Sequence, residues 1–255
     1  MAITFVGGYA ADDGGSGNVT DPVDLTLPSH ASGDVGYIMA GHSVSGTSVS
    51  TFNSIDGWTS LGTITWAAGS DGYMELWRRV FTSASETNPS VNTAVSSRKV
   101  ASVVVFRGVD NTTPEDVTPT ESNNSNSLNF AAAAITPANN CGILLFQYSA
   151  YAAVNDAITT LGAPATPTGL TILADGLGSS IGGGLFRDLA CAYDVDGGTA
   201  LATYTPGAWT HSATATDTQE VGNFTIALRP AAAAGSRPQN PLGHPLYGPF
   251  GGPIG

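Results

Sequence analysis

The sequence predicts an all-β fold, an antiparallel β-sandwich of jelly-roll or Ig-like type, followed by an extended C-terminal tail rich in Pro and Gly. Three observations predict it. Gly and Pro contribute 32 and 15 of the 255 residues, a share that interrupts helices and supplies turns. Charged residues make up only 11% and Lys99 is the one lysine, so the Glu/Lys pairs at i,i+4 spacing that support soluble helices cannot be built. Short runs of β-branched, aromatic and aliphatic residues alternate with clusters of Gly, Asp, Asn, Ser and Thr, the rhythm of strands and turns.

Taken in chain order, strands are expected at residues 3–6, 23–27, 35–40 and 60–65. Over residues 73–81 two faces separate: Met74, Leu76 and Val80 share one, broken by Arg78, while Tyr73, Trp77 and Phe81 share the other, broken by Glu75 and Arg79. Residues 99–106 and 142–148 are nearly continuous apolar runs and read as central strands. Further strands are expected at 170–173 and 185–194, and residues 223–229 alternate cleanly and close the domain. The total is about ten strands, enough for two packed sheets. Turns are expected at Asp12-Asp13-Gly14-Gly15, Asp56-Gly57, Asp71-Gly72, Asp175-Gly176 and Asp196-Gly197, where Gly supplies positive φ. Residues 131–134 belong to a loop or edge strand, because the Asn/Ser-rich stretch 121–129 before them has no amphipathic period.

Composition changes after Pro230, which divides the chain into a sandwich over 1–229 and a docking tail over 230–255. In the tail Pro recurs every fourth residue, at 241, 245, 249 and 253, each followed by a large apolar residue: Leu242, Leu246, Phe250 and Ile254. Recurrent Pro forbids helix and central strand, leaving extended or polyproline-like chain. At about three residues per polyproline turn, a four-residue repeat rotates successive apolar groups by about 120°. Such a segment suits a groove with several walls, and Leu242, Leu246, Tyr247, Phe250 and Ile254 are its candidate partner-binding residues.

The formal charge of −12 sets the surface against phosphate backbones and anionic headgroups, so neither nucleic acid nor membrane is an expected partner. No stretch approaches the roughly 18 apolar residues of a membrane helix, and the first residues show no signal peptide, so synthesis without export is expected. Cys141 and Cys191 sit in apolar strand contexts and read as core thiols, with a bridge between them left to geometry.

Motifs that could carry chemistry fall short. Gly41-His42-Ser43-Val44-Ser45 lacks the closing Gly of a nucleophile elbow, and Ser96-Ser97-Arg98-Lys99 precedes a strand where Ser-x-x-Lys chemistry needs a helix. Asp194-Val195-Asp196-Gly197-Gly198 opens like a calcium loop but lacks its later ligands, so a hairpin turn is the better account. The histidines, His30, His42, His211 and His244, show no zinc spacing. No catalytic residue, metal site or cofactor is assigned, and the protein is expected not to be an enzyme. Trp58 and Trp209 are candidates for stacking on a sugar, although core packing is the commoner use of a strand or turn tryptophan.

One set of segments carries a likeness: Ser32-Gly33-Asp34-Val35, Gly57-Trp58-Thr59-Ser60-Leu61-Gly62, the strand at 73–81, and Val104-Val105-Phe106-Arg107-Gly108-Val109-Asp110 followed by Pro114. Over residues 1–229 the chain resembles β-sandwich structural proteins of tailed bacteriophages. The resemblance implies a virion component: a surface decoration or accessory protein, held on the particle through the C-terminal tail. A tail-associated fibre or receptor-binding protein that takes a host-surface glycan is the alternative. Implied partners are major capsid or tail proteins and copies of the chain itself, and the implied location is the virion surface. The C-terminal position of the docking segment favours the decoration role, since fibres are usually anchored at the N-terminus.

Overall fold

A computed structural model describes residues 2–13, 21–44, 50–66, 71–124, 131–151, 158–161, 171–174, 186–211 and 219–232. Among them there is no helix. The strands are β1 (Thr4–Asp12), β2 (Val23–Asp24), β3 (Val35–Val44), β4 (Thr59–Trp66), β5 (Asp71–Val80), β6 (Ser90–Val91), β7 (Arg98–Arg107), β8 (Thr120–Asn124), β9 (Cys141–Tyr151), β10 (Ile158–Leu161), β11 (Thr171–Ala174), β12 (Phe186–Gly198), β13 (Trp209–His211) and β14 (Gln219–Leu228). They form two five-stranded sheets, ordered β1-β7-β3-β5-β4 and β11-β12-β9-β14-β8, and two small pairs, β2-β6 and β10-β13. Every pairing is antiparallel.

The inner faces of the two large sheets share one core. Tyr37, Met39, Met74, Leu76, Val104 and Phe106 come from the first sheet, and Leu144, Phe146, Leu189, Cys191, Phe224 and Ile226 from the second. The outer faces are covered as well. Val23, Leu25, Phe52, Ile55 and Trp58 close over Ile38, Tyr73, Trp77, Ala101, Val103 and Val105 of the first sheet. Ala132, Ile135, Tyr204 and Trp209 close over Ile143, Leu145, Ala190, Ala192 and Ala227 of the second. An antiparallel sheet with one wet face alternates apolar and polar residues. Here both faces are dry, which is why β7 and β9, each second or third in its sheet, read as continuous apolar runs.

The two faces of β5 separate as the alternation predicts: Met74 and Leu76 face the inter-sheet core with Val80 packed against it, and Tyr73, Trp77 and Phe81 face the outer one. Other expectations are corrected. Asp71-Gly72 opens β5 instead of turning, because a Cβ on Gly72 would stand 2.6 Å from the Trp66 indole that crosses it. Asp194–Gly198 makes no hairpin. Residue 194 pairs with Ile143 and residue 198 with Cys141, so an irregular bulge lets β12 continue, with the Asp196 N–H donating to Asp194 Oδ1 at 3.0 Å. The Asn/Ser-rich stretch contributes β8, an edge strand on β14. Residues 131–135 form no regular strand; they carry two isolated bridges, Ala131 to Ala208 and Ile135 to Tyr204. The turns expected at Gly14-Gly15 and Asp175-Gly176 lie outside the described residues. Cys141 and Cys191 are free and buried on opposite faces of the second sheet.

Close approach of the two sheets depends on Gly41. A Cβ there would overlap the Tyr148 ring of the facing sheet, and a ring held in a core cannot swing clear. Gly41→Ala is expected to lower the unfolding free energy by about 1–3 kcal/mol, measured by urea titration; a variant as stable as the wild type would show that the sheets can part.

Candidate functional site

β1, β3, β4 and β9 begin, and β5, β7, β12 and β14 end, at one pole of the two-sheet body. The register shows it: Thr4 lies opposite Arg107, Val35 opposite Phe106 and Val80, Thr59 opposite Arg78, Cys141 opposite Gly198 and Gly142 opposite Leu228. The chain leaves β14 at this pole, so the residues that hold 229–232 are the root of the C-terminal segment.

Three turns at the pole need a glycine. Gly33, Gly57 and Gly108 have φ of 89°, 73° and 78°, a region that residues with a Cβ rarely enter. Gly108 is also crowded, since a Cβ there would overlap the Ala2 carbonyl oxygen.

Asp34, next to Gly33, is a buried acceptor. Its Oδ1 takes the Arg107 Nε–H at 2.9 Å and its Oδ2 takes Nη2–H at 2.7 Å and the Ala31 N–H at 2.8 Å. The paired hydrogen bonds fix the guanidinium plane as well as its position, and they hold the Arg107 proton more firmly than usual. The backbone of the same turn exchanges bonds with Phe81: Gly33 N–H to Phe81 O at 2.8 Å and Phe81 N–H to Asp34 O at 2.9 Å. Two loops and the end of β5 are thereby locked together.

The root itself is held by main chain. Arg229 N–H donates to Pro114 O at 2.8 Å, Asp110 N–H to Arg229 O at 2.8 Å, and Ala231 N–H to Gly108 O at 2.7 Å. Pro230, which has no N–H to give, stands between them opposite Val109. The Arg229 guanidinium reaches Asp116 Oδ1 from Nε at 3.3 Å, the Asp116 carbonyl from Nη2 at 3.2 Å and Thr113 Oγ1 from Nη1 at 2.8 Å.

Asp116 and its neighbour Glu115 bind in opposite directions. The Asp116 carboxylate is fully buried and accepts the Ala138 and Asn139 N–H groups at 2.5 and 2.8 Å and Asn139 Nδ2–H at 2.7 Å. Burial alone would raise its pKa, but these donors together with Arg229 hold it below the ordinary 3.8. Glu115 turns to the first sheet, where it accepts Arg78 Nη1–H at 2.5 Å and the Tyr37 hydroxyl at 2.9 Å. Burial, followed by the Glu115 charge, raises the Tyr37 pKa and keeps that hydroxyl a donor. Asp110 lies below its usual range because the Thr112 and Thr113 N–H groups donate to it. These carboxylates are occupied in holding loops.

Two cavities flank the departing chain. One of about 370 Å³ includes Ala2, Asn140, Asp196 and Pro230 in its walls. The other, of about 430 Å³, is walled by Ser32–Asp34, Arg107–Asn111 and Ala231 and Ala232.

Leu242, Leu246, Tyr247, Phe250 and Ile254, the residues expected to bind a partner, lie outside the described residues. Trp58 and Trp209 are not brought together. Trp209 is fully buried beneath the outer face of the second sheet. Trp58 is 9% exposed and meets Phe81 edge to face at 6.1 Å. A sugar needs an open ring face; the fully buried Trp209 offers none, while Trp58 lines a cavity of about 300 Å³ together with Asp56, Arg79 and Asn88. Asp34, Arg107, Glu115, Asp116 and Arg229 were not singled out by sequence reasoning. The available signal was scarcity: with 8 basic residues in 255, an arginine ending a strand beside an Asp-bearing turn is placed for a purpose.

No family model, curated protein or solved structure matches the chain.

Asp116→Asn tests the root. Its folded pKa lies below 3.8, so the stability it supplies is complete above that pH and is lost as pH falls through the folded value. The variant is expected to unfold about 2 kcal/mol more easily near pH 6, with the gap closing below pH 3.8. A gap that stays constant with pH in thermal or urea melts would remove the carboxylate from the account.

Proposed function

We propose that the protein is a non-enzymatic structural component of a tailed bacteriophage particle, a surface decoration or accessory protein fastened through its C-terminal segment. The two-sheet body is in this reading a sandwich of jelly-roll or Ig-like type. Partners are a major capsid or tail protein and other copies of the chain, and the site of action is the virion surface.

The observation that carries the reading is the fixed root. A linker needs no more than a frayed end, yet residues 229–231 are held by three main-chain hydrogen bonds and an arginine with three polar contacts. Beyond Ala232 there remain 23 residues (255 minus 232), which in polyproline form would reach about 70 Å. That length crosses to a neighbouring subunit. A rigid root fixes the direction in which the Pro-apolar repeat is offered and reduces the ordering cost of its docking. Burying Leu242, Tyr247, Phe250 and Ile254 would contribute about 1.5–3 kcal/mol each before that cost. The turns of the pole, built on Gly33, Gly57 and Gly108, are the segments on which the phage likeness rests, and this supports the same assignment. The glycan-binding alternative gains no support from Trp209, which is fully buried.

A chain ending at Ala232 keeps every described contact of the root. It is expected to fold with unchanged circular dichroism and to stay at the top of a density gradient, while the full chain travels with particles assembled from the same genome. Equal occupancy of both chains on the particles would sink the anchoring role, and absence of the full chain from them would sink the virion assignment.

A further inference from the structure

β1 is the outermost strand of the first sheet and, among the described residues, pairs with β7 alone. Open edges are normally blunted by charge, proline or shortness. β1 has nine residues, and none before Asp12 is charged or a proline. Gly8 and Tyr9 are exposed, and Tyr9, at 42%, joins Val95 and Leu201 as the large apolar side chains that the described residues leave to solvent. The other outer strands differ: β8 carries Glu121, β11 has four residues, and β4 shows no exposed large apolar group.

The far end of β1, where the buried side chains of Asp13 and Lys99 meet, gives the direction of its main-chain groups. Asp13 N–H donates to Lys99 O at 3.2 Å. By the two-residue period Ala11 and Tyr9 also turn theirs to β7, while Ala10 and Gly8 turn theirs outward. Gly8 and Ala10 stand opposite Val104 and Ser102, and Val104 belongs to the core between the sheets. The residues that offer hydrogen bonds outward are therefore also those on the core-facing side of the strand, and both are small.

The C-terminal repeat has the matching parity. Pro241, Pro245, Pro249 and Pro253 are all odd-numbered, and Leu242, Leu246, Phe250 and Ile254 are all even. Polyproline winding spreads the apolar groups around the axis, whereas a strand sorts them by its period of two. Every proline then falls on one edge, which is tolerated where that edge faces solvent. The other edge keeps all its N–H donors, since no even position from 242 to 254 holds a proline. The same even residues set the four apolar groups on one face. Donors and apolar groups thus come from one set of residues, as the edge of β1 requires.

We propose that residues 241–254 of one copy add as an antiparallel strand to the outward edge of β1 in a second copy. This rests on the reading that the C-terminal segment is the fastening element. Even-numbered residues exchange hydrogen bonds with Gly8 and Ala10, so the apolar groups extend the core between the sheets, and the prolines on the far edge stop a further strand from joining. The spacer favours a neighbour over the chain's own edge. Residues 233–240 span at most about 29 Å, while β1, which starts beside the root through the Ala2–Gly108 approach, is about 30 Å long. Antiparallel pairing with its own β1 would start the repeat at the far pole and leave the spacer no length for the reversal. A second copy alongside in the opposite sense brings its far pole to the root, and both segments are exchanged in one closed two-fold pair.

Light scattering during size exclusion of full-length chains reads the association. The wild type is expected at about twice the 25.8 kDa of one chain. Gly248→Pro and Gly252→Pro each remove an N–H from the pairing edge and no apolar group, and both are expected as monomers. Gly243→Pro and Gly251→Pro make the same change on the proline edge and are expected to stay paired. Hydrogen exchange locates the acceptor: the Gly8 and Ala10 amides should exchange at least about tenfold more slowly in the wild type than in Gly248→Pro. A monomeric wild type overturns the second copy as occupant without touching the fastening reading, which the density gradient tests separately. Association lost or kept alike in all four variants overturns the strand, and unprotected Gly8 and Ala10 amides in an associated wild type overturn β1 as its place.

Discussion

A sheet with both faces withdrawn from water must place apolar side chains at nearly every position of its central strands. Each polar group that enters must then bring its own partner. Both large sheets are in this situation, with one core between them and another beneath each set of covering loops. The covering segments 21–28, 50–58, 131–140 and 199–209 have few regular strands of their own, so each must be fastened to the sheet it covers. Much of the hydrogen bonding outside the strands serves that purpose. Thr225 Oγ1 donates through the outer face of β14 to the Ala133 carbonyl at 2.8 Å, and His42 Nε2 of β3 donates to the Ser50 carbonyl at 2.5 Å.

Charge is scarce, and the structure uses it where covers meet strand ends. Arg79 pairs with Glu86, which in turn caps the Thr82 and Ser83 N–H groups. Arg107 binds Asp34, Arg78 binds Glu115 and Arg229 binds Asp116. In each pair the carboxylate is the more buried member and the arginine keeps access to solvent. That division limits the desolvation cost, because the guanidinium is weakly hydrated and can snorkel along apolar surface. An exposed pair would contribute little. Here each carboxylate also accepts backbone or hydroxyl donors, so its value lies in the loop geometry it fixes.

Much of this organisation was legible in the sequence, and the limits of that reading are physical. The runs at 99–106 and 142–148 announced central strands because nothing but double burial produces them. The alternation at 73–81 gave the faces of β5 correctly, its polar interruptions being the residues that later find Glu115, Glu86 and Tyr73 as partners. β8 escaped notice because an edge strand paired on one side tolerates Ser and Asn. Asp71-Gly72 and Asp196-Gly197 read as turns because the strands that flank them, β4 beside the first and β9 beside the second, cannot be known from local chemistry. The partners of Asp116 come from positions 138, 139 and 229, and no spacing rule connects them. Trp58 and Trp209 offered a surface reading only while the covering layers were unknown.

The position of the root determines how a load on the C-terminal segment would reach the body. β14 lies inside its sheet, with ten residues in register with β9 on one side and five with β8 on the other. A pull along the segment at Pro230 acts parallel to that strand, so it shears both ladders together instead of opening them one bond at a time. The weaker route begins at β1, an edge strand that among the described residues pairs with β7 alone, and whose first residues lie beside the root through the Ala2–Gly108 approach. Peeling β1 from that end would run towards Asp13, where its contact with Lys99 lies at the last position before the chain is released. A body that is strong where its tail is loaded and weak where its first strand is exposed gains most from a restraint at that far end, and the buried Asp13–Lys99 contact occupies the place where one is needed.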